Sequence, residues 1–252
     1  MLKLSHIGAI AALTLVGAPL LSAATCSSES AAAYVALGTG GCSIVFDGVT
    51  LNFADFAFTQ NASGTGSGGT ATSIFLTPDT TGGAGFDITN PGGAWSANGT
   101  AVNDDDIQYV VTVVGGADAL NGLFISETGS AGAGFTPGQD TITETWCPGS
   151  VVEPAGSCAG APGGLGYSNG GSLAITGPAS GVTASQTEAF ALTDSLTVDK
   201  DIQISGNNGG ASLTDVKNLV TLATPEPSTL GFLAIAFCAL VGFKKYQQKK
   251  TA

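Results

Sequence analysis

The chain contains no arginine and a single histidine, His6, among its 252 residues, so all seven of its basic residues are lysines. Without a guanidinium group, the bidentate recognition of phosphate or carboxylate that arginine provides is excluded. His6 lies in an apolar N-terminal stretch that we expect to be removed. The mature chain would then have no imidazole, which excludes Ser-His-Asp and Cys-His catalysis and histidine-ligated zinc.

Positive charge is scarce throughout the chain. The chain has nineteen acidic and seven basic residues, which gives a formal net charge of −12 at pH 7. Between Thr25 and Ala223 the only basic residues are Lys200 and Lys217. Because binding to a nucleic-acid backbone needs a basic face, the composition predicts no nucleic-acid partner. The acidic excess would instead keep the protein soluble and attract divalent cations.

Residues 1–24 have the order of a secretory signal peptide. Lys3 supplies the positive start, Ile7–Leu21 form the apolar segment, and Ser22-Ala23-Ala24 provide small residues for cleavage. The alternative is a permanent N-terminal anchor, but the apolar core is shorter than the roughly 20 residues that a membrane span requires. The pattern therefore predicts a mature chain that begins at Thr25.

Residues 224–252 combine a proline motif, an apolar run and a basic end. Pro225-Glu226-Pro227 precede the run Leu230–Phe243, and four lysines follow it: Lys244, Lys245, Lys249 and Lys250. The run is short for a hydrocarbon core of about 30 Å, and snorkelling lysines with local bilayer thinning cover part of the deficit. A buried core helix would not explain the terminal position and the flanking lysines. Since basic flanks stay cytoplasmic, we predict a short transmembrane helix with everything upstream of Pro225 outside.

This ordered arrangement resembles the PEP-CTERM sorting signal of exported proteins in Gram-negative bacteria that make exopolysaccharide. The resemblance covers only the segment from Thr224 to the end. It implies that an exosortase-like enzyme processes the chain near Pro225-Glu226-Pro227. It also implies transient anchoring in the inner membrane, followed by release or re-anchoring at the cell surface. The basic cluster is all lysine where the family usually has arginine, which leaves the charge and the topology unchanged.

Residues 25–215 have the pattern of one β-rich domain. Short runs that alternate apolar and polar residues are separated by clusters of Gly, Ser, Asn and Thr. We therefore predict an all-β fold, an antiparallel, jelly-roll-like β-sandwich. A linker at residues 216–223 would connect it to the C-terminal signal.

The clearest strand predictions come from three runs. Val49–Phe58 alternate, with a change of parity near Ala54-Asp55 that predicts a β-bulge. Ile107–Val113 alternate without interruption, and Leu196–Ile204 alternate at every position except Lys200. In the last run Lys200 falls on the apolar side, which predicts either an edge strand or a snorkelling side chain.

Four of the five cysteines would lie outside the cytoplasm, where disulfides form and persist, whereas Cys238 lies in the apolar tail. Four cysteines allow three pairings. We favour Cys26–Cys42 and Cys147–Cys158, because neighbouring cysteines close short loops. The alternative, a redox or nucleophilic cysteine, lacks a Cys-x-x-Cys motif and a nearby basic group.

One acidic cluster, Asn103-Asp104-Asp105-Asp106, is a candidate cation site. Calcium prefers several carboxylate and carbonyl oxygens, so Asp104, Asp105 and Asp106 make calcium the one candidate cofactor. The run lacks the spacing and glycine of an EF-hand loop, and consecutive residues of a strand point to opposite faces. We therefore favour a solvated turn before the strand at Ile107 and predict no cofactor, with calcium at the three aspartates as the alternative.

Features of carbohydrate chemistry are less specific. A glycosidase needs two carboxylates that face each other, and no spacing selects a pair among Glu127, Glu144, Glu153 and Glu188. Four aromatic side chains could either stack on sugar rings or belong to the core: Trp95, Trp146, Tyr109 and Tyr167.

We therefore predict an exported, non-enzymatic protein of the cell surface or extracellular matrix, without catalytic residues. Its expected partners are an exosortase-like processing enzyme, the inner membrane for a time, and exopolysaccharide. Two alternatives remain, namely a carbohydrate-binding or calcium-dependent adhesion module, and a carbohydrate-active hydrolase.

Overall fold

The computed structural model describes residues 23–63, 68–91, 95–115, 120–131, 139–149, 171–176 and 183–223. Residues 1–22 of the predicted signal peptide and the whole segment 224–252 lie outside these ranges. Within them, no helix has the length and apolar character needed to cross a bilayer. The transmembrane helix predicted at Leu230–Phe243 falls outside the described residues and stays a prediction.

Most of the described chain is β-strand, with one short α-helix and one 3₁₀ turn at Gly38–Gly40. The elements in chain order are β1 (Ala24–Thr25), β2 (Glu29–Ser30), α1 (Ala31–Ala36), β3 (Cys42–Phe46), β4 (Val49–Ser63), β5 (Phe75–Asp79), β6 (Ala84–Thr89), β7 (Trp95–Gly99), β8 (Val102–Val113), β9 (Leu120–Ala131), β10 (Gln139–Pro148), β11 (Gly171–Thr176), β12 (Thr183–Thr193), β13 (Ser195–Ser205) and β14 (Gly209–Leu222).

The strands form two sheets. Sheet 1 has the order β1-β3-β4-β8-β13-β10-β11, and sheet 2 has the order β12-β9-β14-β6-β5-β2, with β7 also paired to β14. The described pairings are antiparallel except for β1, which runs parallel to β3. This arrangement confirms the predicted all-β sandwich.

The core lies between the two sheets because alternate residues of each strand point inward. In β8 and β13 the inward positions are the ones that the alternation predicted, including Tyr109 and Val198. An aromatic cluster fills one part of the core, with ring centroids 4.9 to 6.0 Å apart; its members are Tyr34, Phe53, Phe56, Phe86 and Tyr109. Such tilted and edge-to-face contacts stabilise a core beyond the area that they bury.

The predicted bulge in β4 is confirmed. The register of β4 against β8 shifts between Ala54 and Ala57, and Asp55 has a positive φ of 53°. The extra residue changes the parity of the strand. As a result, Phe53 and Phe56 both point into the core on either side of the bulge.

Helix α1 closes the sandwich beside β4. The side chain of Ser30 caps the helix by accepting a hydrogen bond from the backbone N–H of Ala33 at 3.3 Å. Tyr34 is buried and donates its hydroxyl to the backbone oxygen of Ser27 at 2.6 Å. Gly41 follows at φ +57°, where a Cβ atom would lie 2.1 Å from the Phe53 carbonyl oxygen. Glycine is therefore required at the start of β3.

Two details of the sequence prediction are wrong. Strand β13 lies between β8 and β10, so Lys200 is not on an edge strand and its side chain does not snorkel; it is fully buried against Glu144. The predicted linker 216–223 is not a linker, because β14 continues through it to Leu222 and pairs with β6 and β9. In both cases a partner from a distant part of the chain decides the structure.

Candidate functional site

The outer face of sheet 1 carries a cluster of three carboxylates. Asp104 and Asp106 lie two residues apart on β8, and Asp201 lies directly opposite Asp106 on β13. One carboxylate oxygen from each residue lies within 4.8 Å of the other two, and all three side chains are half-buried. The pleat of β8 and its register with β13 therefore bring together acidic groups that are nearly one hundred residues apart in sequence.

These carboxylates repel one another. Burial raises the pKa of Asp201 to about 7, with further increases from a hydrogen bond with Asp104 and from the charges of Asp104, Asp106 and Asp199. Burial, followed by the charges of Asp104 and Asp199, also raises the pKa of Asp106. The Oδ1 atom of Asp201 is shielded from solvent and has no hydrogen-bond partner among the described residues. A bound cation would relieve this repulsion.

Of the three aspartates in the predicted run, Asp104 and Asp106 belong to this cluster and Asp105 does not. Asp105 points to the opposite face of β8, into the core, as the pleat requires. Its Oδ2 atom accepts hydrogen bonds from Trp95 Nε1 at 2.6 Å and from the backbone N–H of Gly69 at 3.0 Å. Burial raises the pKa of Asp105 to about 6 although both hydrogen bonds oppose the increase. Asp105 therefore has a structural position and cannot join the outer cluster.

Three carboxylates fit a hard divalent cation. They would supply three of the six to eight oxygen ligands that calcium takes. Asn61 of β4 and Gln203 of β13 flank Asp104 in register on the same face, so two amide oxygens are also near. Water or the hydroxyl and carboxylate groups of a ligand would complete the shell. The arrangement supports cation binding.

The sequence did not identify Asp201 as a candidate site residue. The polar side of the strand Leu196–Ile204 already contained Asp199 and Asp201, but nothing in the sequence gave the pairing of β13 with β8. Only the register, with Asp201 opposite Asp106, places it in the cluster.

The predicted disulfide Cys26–Cys42 is present, with a Cα–Cα distance of 4.9 Å. It ties the start of the sandwich to β3. Cys147, on β10, is also disulfide-bonded. Its predicted partner Cys158 lies outside the described residues, so the second pairing stays a prediction. The sorting residues Pro225, Glu226 and Pro227 and the lysines Lys244, Lys245, Lys249 and Lys250 lie outside them as well.

The candidate residues for carbohydrate chemistry lie mostly in the core. Glu127 and Glu144 are fully buried, and Glu188 accepts a hydrogen bond from Trp146 Nε1 at 3.2 Å. Trp95 and Tyr109 are buried, and the Trp146 ring packs on Phe190 with centroids 4.4 Å apart. Trp95, Trp146 and Tyr109 are therefore core side chains and do not form a platform for sugars. Glu153 and Tyr167 lie outside the described residues.

Two cavities among the described residues lie away from the acidic cluster. A cavity of about 320 Å³ lies beside the Cys26–Cys42 disulfide and α1, with Tyr34 and Leu37 in its wall. A smaller one of about 100 Å³ lies beside Trp146 and Phe190.

No protein-family model matches this chain, and no curated protein matches it significantly. Among solved structures, it is similar to TmCBM61 in complex with β-1,4-galactotriose at 8% sequence identity and a TM-score of 0.31, over 64% of this chain and 88% of that one. It is also similar to the carbohydrate-binding module CBM6cm-2 from Cellvibrio mixtus lichenase 5A in complex with cellotriose. There the identity is 12% and the TM-score 0.22, over 59% of this chain and 87% of that one. These TM-scores are below those of proteins that share a fold.

Proposed function

We propose that this chain is an exported, non-enzymatic protein of the cell surface or extracellular matrix. The observation that carries the proposal is the disulfide Cys26–Cys42, which begins two residues after the predicted cleavage site at Ala24. Disulfides persist in oxidising compartments and are rare in the cytoplasm. Cys147, the third cysteine among the described residues, is also oxidised.

The C-terminal signal supplies the finer part of the proposal. An exosortase-like enzyme would cut near Pro225-Glu226-Pro227 after the chain has paused in the inner membrane. Strand β14 ends at Leu222, two residues before Thr224. The two prolines would hold the backbone extended and free of its own amide donors. This is the form that a processing enzyme can bind next to a folded domain.

Intact mass spectrometry of the protein from its native host tests this proposal. We expect an N-terminus at Thr25, a C-terminus near residues 225–227 and oxidised cysteines. Alanine in place of Pro225-Glu226-Pro227 should leave an unprocessed form in the inner membrane. Alanine in place of Ser228 and Thr229 is the matched control and should be processed normally. A cytoplasmic chain that retains Met1 and Ala252 would refute the proposal.

A second candidate function is calcium-dependent binding of acidic polysaccharide, or adhesion, through the outer face of sheet 1. Two observations favour it: Asp104, Asp106 and Asp201 converge, and the shielded Oδ1 atom of Asp201 has no hydrogen-bond partner among the described residues. A cation held there would keep open coordination positions toward solvent. Carboxylates of a polysaccharide could fill those positions, which would explain how a strongly acidic protein binds an acidic polymer.

Titration calorimetry with calcium on chelator-treated protein tests this second function. Asp201→Asn should weaken calcium binding at least tenfold, whereas Asp47→Asn, an exposed carboxylate in the β3–β4 turn, should leave it unchanged. Polygalacturonate should then bind only with calcium present, and neutral dextran should not bind. Because protons compete for Asp201, calcium affinity should fall as the pH drops below about 7. Equal calcium affinity in both variants would exclude the site.

A further inference from the structure

A polar cluster in the core joins three strands from both sheets. Lys200 of β13 and Glu144 of β10 belong to sheet 1, and Asn218 of β14 belongs to sheet 2. All three side chains are fully buried. The ammonium Nζ atom of Lys200 donates to Glu144 Oε2 at 2.5 Å. Asn218 faces the same carboxyl group from the other sheet, so one carboxylate contacts both an amine and a carboxamide.

The carboxamide of Asn218 is held in a specific orientation. The hydroxyl of Tyr109 donates a hydrogen bond to Asn218 Oδ1. The Nδ2 atom of Asn218 and the Oε1 atom of Glu144 are buried without a hydrogen-bond partner of regular geometry among the described residues. Buried polar atoms are nearly always satisfied in a purely structural network. The Asn218 carboxamide therefore lies against the Glu144 carboxyl group, which is itself paired with Lys200, without a hydrogen bond of regular geometry.

The surroundings of the cluster exclude water. In the strand register Lys200 pairs with Ile107, and Asn218 pairs with Phe86 and Ile125, all of which are buried. Burial raises the pKa of Glu144, while the neighbouring Lys200 and Asn218 oppose the increase. A carboxylate in this environment takes up a proton more readily than one in water. Transfer of a proton from Lys200 to this carboxylate would leave an amine with a free electron pair, which is a nucleophile.

We propose that Lys200 and Asn218 react to form an intramolecular isopeptide bond between the two sheets, with Glu144 as the proton carrier. The proposal goes beyond the proposed function, since it concerns a covalent modification of the core. It requires no oxidant, cofactor or second protein, because every reacting atom belongs to the three side chains.

The step balances within the cluster. Glu144 takes a proton from the Lys200 ammonium, and the free electron pair of Nζ forms a bond to Cγ of Asn218. The carbonyl electrons move to Oδ1, where the Tyr109 hydroxyl stabilises the developing negative charge. Glu144 then gives a proton to Nδ2 and takes one from Nζ, the Cγ–Nδ2 bond breaks, and ammonia leaves. The product is a secondary amide, and the remaining proton stays on Glu144 or leaves with ammonia as ammonium.

Mass spectrometry of the purified full chain tests the proposal. After reduction of disulfides, the chain should be lighter by one ammonia than its processed sequence requires. Asn-Gly pairs such as Asn98-Gly99 and Asn121-Gly122 also lose ammonia when they form succinimides, so the mass alone is not sufficient. Digestion with chymotrypsin should therefore yield a single cross-linked peptide that contains both Lys200 and Asn218.

Two variants separate this reaction from an ordinary ion pair. Glu144→Gln removes the proton carrier with little change in shape and should leave Lys200 and Asn218 unlinked. Glu127→Gln alters another buried glutamate of the core and should retain the link. If Glu144→Gln does not fold, the peptide map of the unmodified protein still decides the question. An unlinked Lys200 would overturn the proposal, and so would a link to Glu144, which is recognised by the loss of water instead of ammonia.

Discussion

Glu127 gives the sharpest stability prediction. It lies on the inward face of β9, is fully buried, and neither of its carboxyl oxygens has a hydrogen-bond partner among the described residues. Burial raises its pKa from an ordinary value of 4.5 to about 8, and the nearby carboxylate of Asp140 on β10 adds to the increase. Burial also raises the pKa of Asp140. The charged form of Glu127 is therefore unfavourable in the folded protein.

The pKa of Glu127 determines how much its charge destabilises the folded state and how the free energy of unfolding changes with pH. One pKa unit corresponds to about 1.4 kcal/mol, so the charged form costs about 5 kcal/mol at most, and relaxation of the protein lowers this figure. The unfolded chain loses the Glu127 proton near pH 4.5, whereas the folded chain keeps it until about pH 8. Between these values the folded state binds more protons, so the free energy of unfolding should fall as the pH rises.

Glu127→Gln should remove most of this dependence. The amide has nearly the same shape, carries no charge, and can donate to Asp140. At pH 8 we expect the free energy of unfolding to increase by roughly 1–3 kcal/mol, and at pH 5 we expect little change. Urea denaturation in calcium-free buffer at both pH values measures the free energy of unfolding of the variant and of the unmodified protein. Glu29→Gln, on an exposed carboxylate, is the control and should show neither effect. Equal unfolding midpoints for Glu127→Gln and the unmodified protein at pH 8 would refute the reasoning.

Three further predictions concern packing, cross-linking and surface charge. Replacing both Cys26 and Cys42 with alanine should lower the free energy of unfolding by roughly 3 kcal/mol, since the bridge closes a loop with a sequence separation of 16; an unchanged urea midpoint would contradict this. Phe53→Ala should cost about 3–5 kcal/mol in the same assay, because its ring is fully buried and packs against the rings of Phe86 and Tyr109. Lys217→Ala breaks the ion pair with Asp79, in which the Lys217 side chain is 30% exposed and the Asp79 side chain 13%. The free energy of unfolding should fall by less than about 1 kcal/mol. A loss above 2 kcal/mol would show that the pair is more than a surface contact.

Local patterns predicted β4, β8 and β13 well. Alternation identified β8 and β13, and the change of parity in β4 identified its bulge, because a two-residue period depends only on which side chains face the core. Strands β3, β6 and β7 were not predicted. They have five or six residues each and, in β6 and β7, include glycine, so their periodicity is too short to recognise.

Contacts between distant strands could not be predicted. Lys200 interrupts an apolar face, and the sequence alone does not reveal that Glu144 lies opposite it. Asp201 belongs to the acidic cluster only because β13 pairs with β8 in one particular register. A shift of one residue would turn Asp201 inward and Lys200 outward. The candidate site therefore depends on which strands pair and in which register, and a local sequence pattern does not show either.

The position of β14 determines how the protein would carry a mechanical load. It is the last described strand, it ends at Leu222, and it pairs with β9 on one side and with β6 and β7 on the other. In a chain tethered by its C-terminal end, tension would pull along the axis of this central strand. Two rows of hydrogen bonds would then be sheared together, instead of opening one by one from an edge, so the attachment point would be among the most force-resistant parts of the sandwich.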